Sequence, residues 1–386
     1  MQPFAPVDVS WTENDTLRRA QWRSENNSAP PRRIVTADDT LSADAAYRIA
    51  SQGGAILWRG DYQNGRQLLH ALTRRVHEKM AAKRQRKPGD TAVASALDEF
   101  NQHRMRQSQR SRLLNSVLVE LDADARIALR RAPDVADACR AAIGATDQPF
   151  LLSVRALLGI VGAHEWRKKG VPVAGLPQPI HVHYGVFSPV RGEYIDLILR
   201  APLPSRDLAF DIGTGSGVLA ALLAQRGVAK VIATDQDPRA LACARENLEQ
   251  QGHADKVELQ QVDMFPDGTA PLIVCNPPWL PAKPTTPIER AIYDPDNRML
   301  LAFLNGVRRH LADRGEAWLI MSDLAVLLGL RTPTFLQEAI DAAGLTVLGK
   351  MDARPTHPKS TDVSDPLHKA RRAEVTSLWR LGHRAM

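Results

Sequence analysis

Residues 207–217 read Asp-Leu-Ala-Phe-Asp-Ile-Gly-Thr-Gly-Ser-Gly and run directly into Val218-Leu219-Ala220-Ala221-Leu222-Leu223. A short apolar run with an acid near its end, three alternating glycines and a helix-forming segment spell strand, tight turn, helix, the context in which a glycine motif gains weight. Glycine lets the backbone turn tightly and approach a ligand closely, because no side chain intervenes. The helix behind the turn directs unpaired N–H groups at whatever occupies it. Gly213, Thr214, Gly215 and Gly217 are therefore candidate ligand-binding residues, with Asp211 placed to orient the loop or a ligand amino group.

Further strands follow along the chain. Lys230-Val231-Ile232-Ala233-Thr234 ends at Asp235, about 20 residues beyond the glycines, where a carboxylate can accept both hydroxyl hydrogens of a ribose. Val257 to Val262 ends at Asp263, placed to reach the exocyclic amine of an adenine. A strand from Pro271 to Cys275 ends in Asn276-Pro277-Pro278-Trp279. A dinucleotide dehydrogenase has no need of a polar and aromatic cluster there. A transferase acting on a planar nitrogen does: the Asn276 side-chain oxygen and the Pro277 carbonyl can accept hydrogens from an sp² amine while Trp279 covers its flat face.

Taken together, the strand-Asp-x-Gly-x-Gly-x-Gly-helix run, Asp235, Asp263 and the Asn-Pro-Pro-Trp tetrapeptide resemble the class I S-adenosylmethionine-dependent methyltransferases of the small-domain branch. That branch includes the ribosomal-RNA guanine-N2 and adenine-N6 enzymes and the release-factor glutamine methyltransferases. The resemblance covers roughly residues 180–382. It implies an α/β, Rossmann-like seven-stranded sheet closed by a C-terminal antiparallel hairpin, with S-adenosyl-L-methionine as cofactor. It further implies that Phe187, in Phe187-Ser188-Pro189, lies over the cofactor and that Arg191 or Glu193 fixes that loop. Asn276, Pro277 and Trp279 become the catalytic set.

The rest of the chain bounds the reading. A length of 386 residues favours two domains. The division expected is an N-terminal arm over 1–40, a basic mixed α/β domain over 41–175 and the methyltransferase domain over 180–386. Three scattered cysteines, Cys139, Cys243 and Cys275, argue against a disulfide scaffold, and the start carries no apparent signal peptide, which suits the cytoplasm. No apolar run approaches the roughly 18 residues of a membrane span.

Within the N-terminal part, residues 1–34 read as a loosely ordered arm, or else as a terminus anchored by Trp11 and Trp22. A helix is expected from Ser42 to Ala50, a buried strand over Ala55–Trp58, a turn at Asn64-Gly65 and a helix from Gln67 burying Leu68, Leu69, Leu72, Val76 and Met80. Its other face carries Arg74, Arg75, Lys79, Lys83, Arg84, Arg86 and Lys87. After Pro88-Gly89-Asp90, a second basic helix from Val93 to about Leu114 carries Arg104, Arg106, Arg110 and Arg112. Strands are expected at Val117–Leu121 and Ile127–Leu129, and a helix over Phe150–Val161. These pieces bear a faint likeness to the degenerate, cofactor-free front domain of some guanine-N2 enzymes.

His181 and His183 alternate on one face without a third ligand at metal spacing, so a hydrogen-bonding role is expected. Near the C-terminus, Leu345–Leu348 should pair with Val375–Leu381 around a basic insert over 352–373 containing Arg354, His357, Lys359, His368, Lys369, Arg371 and Arg372. The formal net charge of +7, the basic helices and this insert favour structured RNA as partner. The alternatives are a protein glutamine on a release factor or ribosomal protein, or a non-catalytic S-adenosylmethionine-binding assembly factor. The bland reading of each basic stretch is a solvated face.

Overall fold

The computed structural model describes residues 7–24, 28–85, 95–284, 288–355, 365 and 367–384, excepting the side chains of 83–85, 288 and 290. The chain forms two compact units, Met1–Val93 with Asn101–Glu165 and Ala94–Phe100 with Trp166–Met386. The turn at Pro88-Gly89-Asp90, together with Arg86, Lys87, His357 and Lys359, lies outside the described residues.

The first unit holds β1 (Val7–Glu13), β2 (Thr16–Trp22), β3 (Arg33–Ala37), α1 (Ala43–Ser51), β4 (Gly54–Trp58), α2 (Tyr62–Gln85), most of α3 (Ala96–Leu114), β5 (Val117–Leu121), α4 (Ala136–Ile143), β6 (Phe150–Ser153) and the body of α5 (Val154–Lys169). Its six strands are ordered β1-β2-β6-β5-β4-β3. Of the two readings of residues 1–34 the described part follows the anchored terminus and not the loose arm: β1 and β2 pair antiparallel, and Val9 and Trp11 alternate into an apolar cluster with Ala20, Ala55, Leu57, Leu118 and Leu151, with Trp22 packed against it. The surrounding charges hide that two-residue period in the sequence. Strands β3 to β6 lie side by side in chain order, so this sheet lacks the reversal at which doubly wound sheets bind ligands.

Three local expectations also fail, each for a packing reason. Asn64-Gly65 lies inside α2 rather than at a turn. A Cβ on Gly65 would sit 2.8 Å from Trp58 Nε1, so glycine is there for close approach of the helix to that indole. Residues 127–129 form no strand, because both edges of β5 are already taken by β4 and β6. That stretch instead brings Arg130 and Arg131 to the buried Asp61 carboxylate, at 2.9 and 2.7 Å. Residues 150–153 are strand rather than helix, a distinction that apolar periodicity cannot make in so short a run. Ser153 Oγ then accepts the Ala156 N–H at 3.0 Å and starts α5.

The second unit contains α6 (Glu193–Arg200), β7 (Leu208–Ile212), α7 (Val218–Gln225), β8 (Lys230–Thr234), α8 (Pro238–Gln250), β9 (Val257–Gln260), β10 (Ala270–Cys275), α9 (Arg298–His310), β11 (Leu311–Ser322), α10 (Leu324–Leu327), α11 (Phe335–Ala342), β12 (Leu345–Ala353), α12 (His368–Ala373) and β13 (Thr376–His383). Its seven strands run β12-β13-β11-β10-β7-β8-β9. All neighbours are parallel except β13, which is antiparallel to both β11 and β12. The hairpin and the α/β class follow the sequence reading, while β9 stops at Gln260, short of the expected Val262.

Alternation along each strand builds two cores. Ala209, Val274, Trp318 and Ile320 face one side with α6 and α7; Phe210, Ile212, Ile273, Cys275 and Leu319 face the other with α9. Strand β7 lies between β8 and β10, so the strand order reverses beside it, and the crevice at the carboxyl ends of β7 and β10 is where such sheets bind.

Candidate active site

The three glycines after β7 adopt left-handed backbone angles, φ +72° at Gly213, +57° at Gly215 and +79° at Gly217. L-residues rarely take these angles, so the alternating pattern is a backbone requirement. A Cβ at Gly213 would lie 2.5 Å from Met299 Cε, and one at Gly217 3.0 Å from Ala244 Cα. One at Gly215 would meet nothing within 4 Å: this is the open side of the cradle.

Two carboxylates brace the loop from below. Asp211 Oδ2 accepts from Thr214 Oγ1 at 2.6 Å and from the Ala220 N–H at 3.1 Å. Asp235 Oδ2 accepts the Gly215 N–H at 3.1 Å, and its Oδ1 the Asp237 N–H at 2.9 Å. Asn247 on α8, which sequence reading missed, donates to the Ser216 carbonyl at 3.0 Å and accepts the His181 N–H at 2.7 Å. His181 Nδ1 meets the Arg167 carbonyl at 2.6 Å and His183 Nε2 the Glu246 carboxylate at 2.7 Å, so both histidines bond to protein groups. No group of three or more metal-ligating side chains occurs among the described residues.

Asp211 is fully buried, yet its Oδ1 has no hydrogen-bond partner. Burial pushes its carboxyl up to about 6, against the opposing pull of the Thr214 and Ala220 bonds, and the neighbouring Asp235 charge adds to the rise. Burial raises Asp235 as well. The unpartnered, buried Asp211 carboxylate oxygen at the foot of the glycine turn is a group that would suit the ammonium of S-adenosylmethionine.

This gives a pH prediction with a definite sign. A group whose folded pKa exceeds its unfolded value, here about 3.8, stabilises below that value and loses the contribution as pH rises through about 6. Asp211→Asn should therefore gain relative to wild type on going from pH 5 to pH 8, by roughly 1 kcal/mol in denaturant unfolding without ligand. Affinity for the cationic cofactor should move oppositely in wild type, weakening as pH falls from 7 to 5, and titration calorimetry reads both the loss and its absence in the variant.

The expected target clamp stands one strand away. Register pairs Asp211 with Val274 and Ile212 with Cys275, so Asn276, which follows β10, stands beside the glycine turn, and Asp235 follows β8 on its far side. Asn276 Oδ1 accepts from Trp279 Nε1 at 3.0 Å. The Arg191 guanidinium lies 4.9 Å from the Trp279 ring centre. Its Nε donates to Glu193 Oε1 at 2.6 Å, and it reaches Glu374 Oε1 at 3.1 Å. Glu374 in turn accepts from Ser322 Oγ at 2.6 Å. The indole is thus held on one side by Arg191 and through its Nε1 by Asn276.

Phe187 is half-buried against the α6 and α7 core, and Asp263 is exposed beyond β9. Asp294, another residue the sequence did not single out, accepts the Met299 and Leu300 N–H groups at the start of α9 at 3.0 and 3.1 Å.

This sheet order, with its glycine cradle at the point of reversal, is an α/β, Rossmann-like unit of the kind the sequence led us to expect. Residues 178–327 match the family described as methyltransferase small domain. The release factor glutamine methyltransferase of Cereibacter sphaeroides is 33% identical over 159 residues, 37% of this chain and 55% of its own length. The tRNA1(Val) (adenine(37)-N6)-methyltransferase of Shewanella loihica is 28% identical over 149 residues, 36% of this chain and 61% of its own. The ribosomal protein L11 methyltransferase of Vibrio parahaemolyticus is 34% identical over 105 residues, 26% of this chain and 36% of its own. The chain thus spans between about a third and three fifths of the length of these relatives.

Proposed function

We propose that the chain is an N-methyltransferase that moves a methyl group from S-adenosylmethionine to a planar nitrogen of a macromolecule, an exocyclic base amine in structured RNA. The observation that carries this reading is the Asn276-Pro277-Pro278-Trp279 clamp at the end of β10, next to the cradle formed after β7. The cofactor supplies an electrophilic methyl on a sulfonium, so the protein's task is alignment and a matched electrostatic environment. Gly213, Thr214, Gly215 and Gly217 would hold the methionine end, Asp211 its ammonium, Asp235 the ribose, Asp263 the adenine amine, and Phe187 would cover the adenosine. Asn276 Oδ1 and the Pro277 carbonyl would accept the hydrogens of the acceptor amine, point its lone pair at the methyl and stabilise the positive charge that develops on nitrogen.

RNA is favoured by the net charge of +7 and by exposed cations on α2, α3 and α12, among them Arg74, Lys79, Arg112, Lys369 and Arg372. Some of the basic residues in each unit are neutralised within the protein, since Arg75 bridges Asp44 and Glu78 in the first and Arg371 bridges Asp365 in the second. A protein glutamine is the second reading, favoured by Arg191 over the indole, because a side-chain amide needs less free ring face than a base does.

Labelled cofactor offered with unmodified transcribed RNA, and separately with ribosomal and release-factor proteins, distinguishes the two readings. Label in RNA supports the first and label in protein alone the second; label in neither leaves a binding protein. If RNA is the acceptor, its affinity should fall by about tenfold or more between 50 and 200 mM salt, the signature of phosphate neutralisation by several cations.

A further inference from the structure

Resting on the N-methyl-transfer reading, we propose that Trp279, steadied by Arg191, is a positioning residue that sets which end of the Asn276 amide faces the acceptor. An asparagine amide is nearly the same shape either way round, yet one end accepts hydrogen bonds and the other donates two. Turned over, Asn276 would present N–H groups to an acceptor amine that itself needs to donate. The indole Nε1 is a donor and nothing else, so its 3.0 Å contact selects the oxygen. A carbonyl oxygen has two lone pairs: the indole takes one and leaves the other for the amine hydrogen.

Neither phenylalanine nor tyrosine carries a donor at that point of the ring, so this device depends on tryptophan in this chain. The indole is itself held. It packs against both apolar clusters of the sheet, and the Arg191 guanidinium lies over it at 4.9 Å. Arg191 is in turn fixed between Glu193 and Glu374, whose side chains are each only 2% exposed. The orientation of one amide is thus transmitted from the loop before α6 and from the residue that leads into β13.

The test is a double-mutant cycle between Trp279→Phe and Asn276→Asp, because an aspartate presents oxygen at both ends and has no wrong way round. The probes are labelled S-adenosylmethionine with unmodified transcribed RNA and with a glutamine-containing release-factor protein. Trp279→Phe alone should lower kcat by about tenfold, one neutral hydrogen bond's worth, with cofactor affinity within about twofold of wild type. In the Asn276→Asp background the same change should cost less than about twofold.

A second readout needs no turnover: the Asn276 side-chain amide signals in a nitrogen-15 spectrum should be one sharp pair in wild type and broadened or doubled in Trp279→Phe. An equal loss in both backgrounds would reduce Trp279 to a stacking surface and overturn the proposal, as would unchanged amide signals in the variant. Should wild type label neither probe, the methyl-transfer reading fails, while the amide signals still decide the positioning role.

Discussion

Asn276→Ala is expected to lower kcat by about 10² or more while leaving the affinity for S-adenosylmethionine nearly unchanged. The reason lies in where each group sits. The cradle of Gly213, Gly215 and Gly217 and the carboxylates of Asp211 and Asp235 belong to the turn after β7 and the end of β8, and they keep their mutual bonds without Asn276. Asn276 follows β10 and bonds to Trp279. In the proposed N-methyl transfer its oxygen would face a growing positive charge only while the carbon–nitrogen bond forms, so its loss should raise the barrier more than it weakens ground-state binding. Single-turnover labelling read beside calorimetry separates the two effects. A variant that loses cofactor affinity while an occupied enzyme turns over normally would move Asn276 to the cofactor side of the site.

How much of this was legible in the sequence depends on distance along the chain. The cradle is written in adjacent residues, since a strand, alternating glycines and an apolar helix each have a local signature, and the expected seven-stranded sheet with its C-terminal antiparallel hairpin is present. The hairpin of β12 with β13 was legible across the insert through the family resemblance, and the structure pairs them antiparallel with one irregularity between Val347 and Gly349. What escaped were partners joined only by topology. Glu374 meets Arg191 because β13 returns antiparallel beside β11, and nothing near residue 374 announces an arginine 183 positions earlier. Asn247 reads as one more polar residue of an amphipathic helix until α8 folds against the glycine loop. In the first unit the errors have another origin. Where strands are short and edged with charge, as in β1, or entirely buried, as in β6, the local pattern is ambiguous, and pairing with a neighbour decides the outcome.

Arg191→Ala should cost about 3–5 kcal/mol of stability, the loss expected when one partner leaves a buried ion pair and its carboxylate stays behind. Two carboxylates are involved here. Glu193 and Glu374 both approach the same guanidinium, at 2.6 and 3.1 Å, and each is buried too deeply for water to take over its solvation. Removal of Arg191 leaves them facing each other, so repulsion adds to the desolvation already incurred. In urea unfolding the midpoint should fall with little change in slope. The further substitution Glu374→Gln should recover a substantial part of the loss, because it removes one uncompensated charge while preserving an acceptor for Ser322 Oγ. A loss below about 1 kcal/mol would mean that the cluster behaves as an exposed pair. Failure of Glu374→Gln to rescue would place the cost instead in the lost packing of the guanidinium on Trp279. Either result bears on the clamp, since the same guanidinium that neutralises the two acids keeps the indole where its N–H meets Asn276.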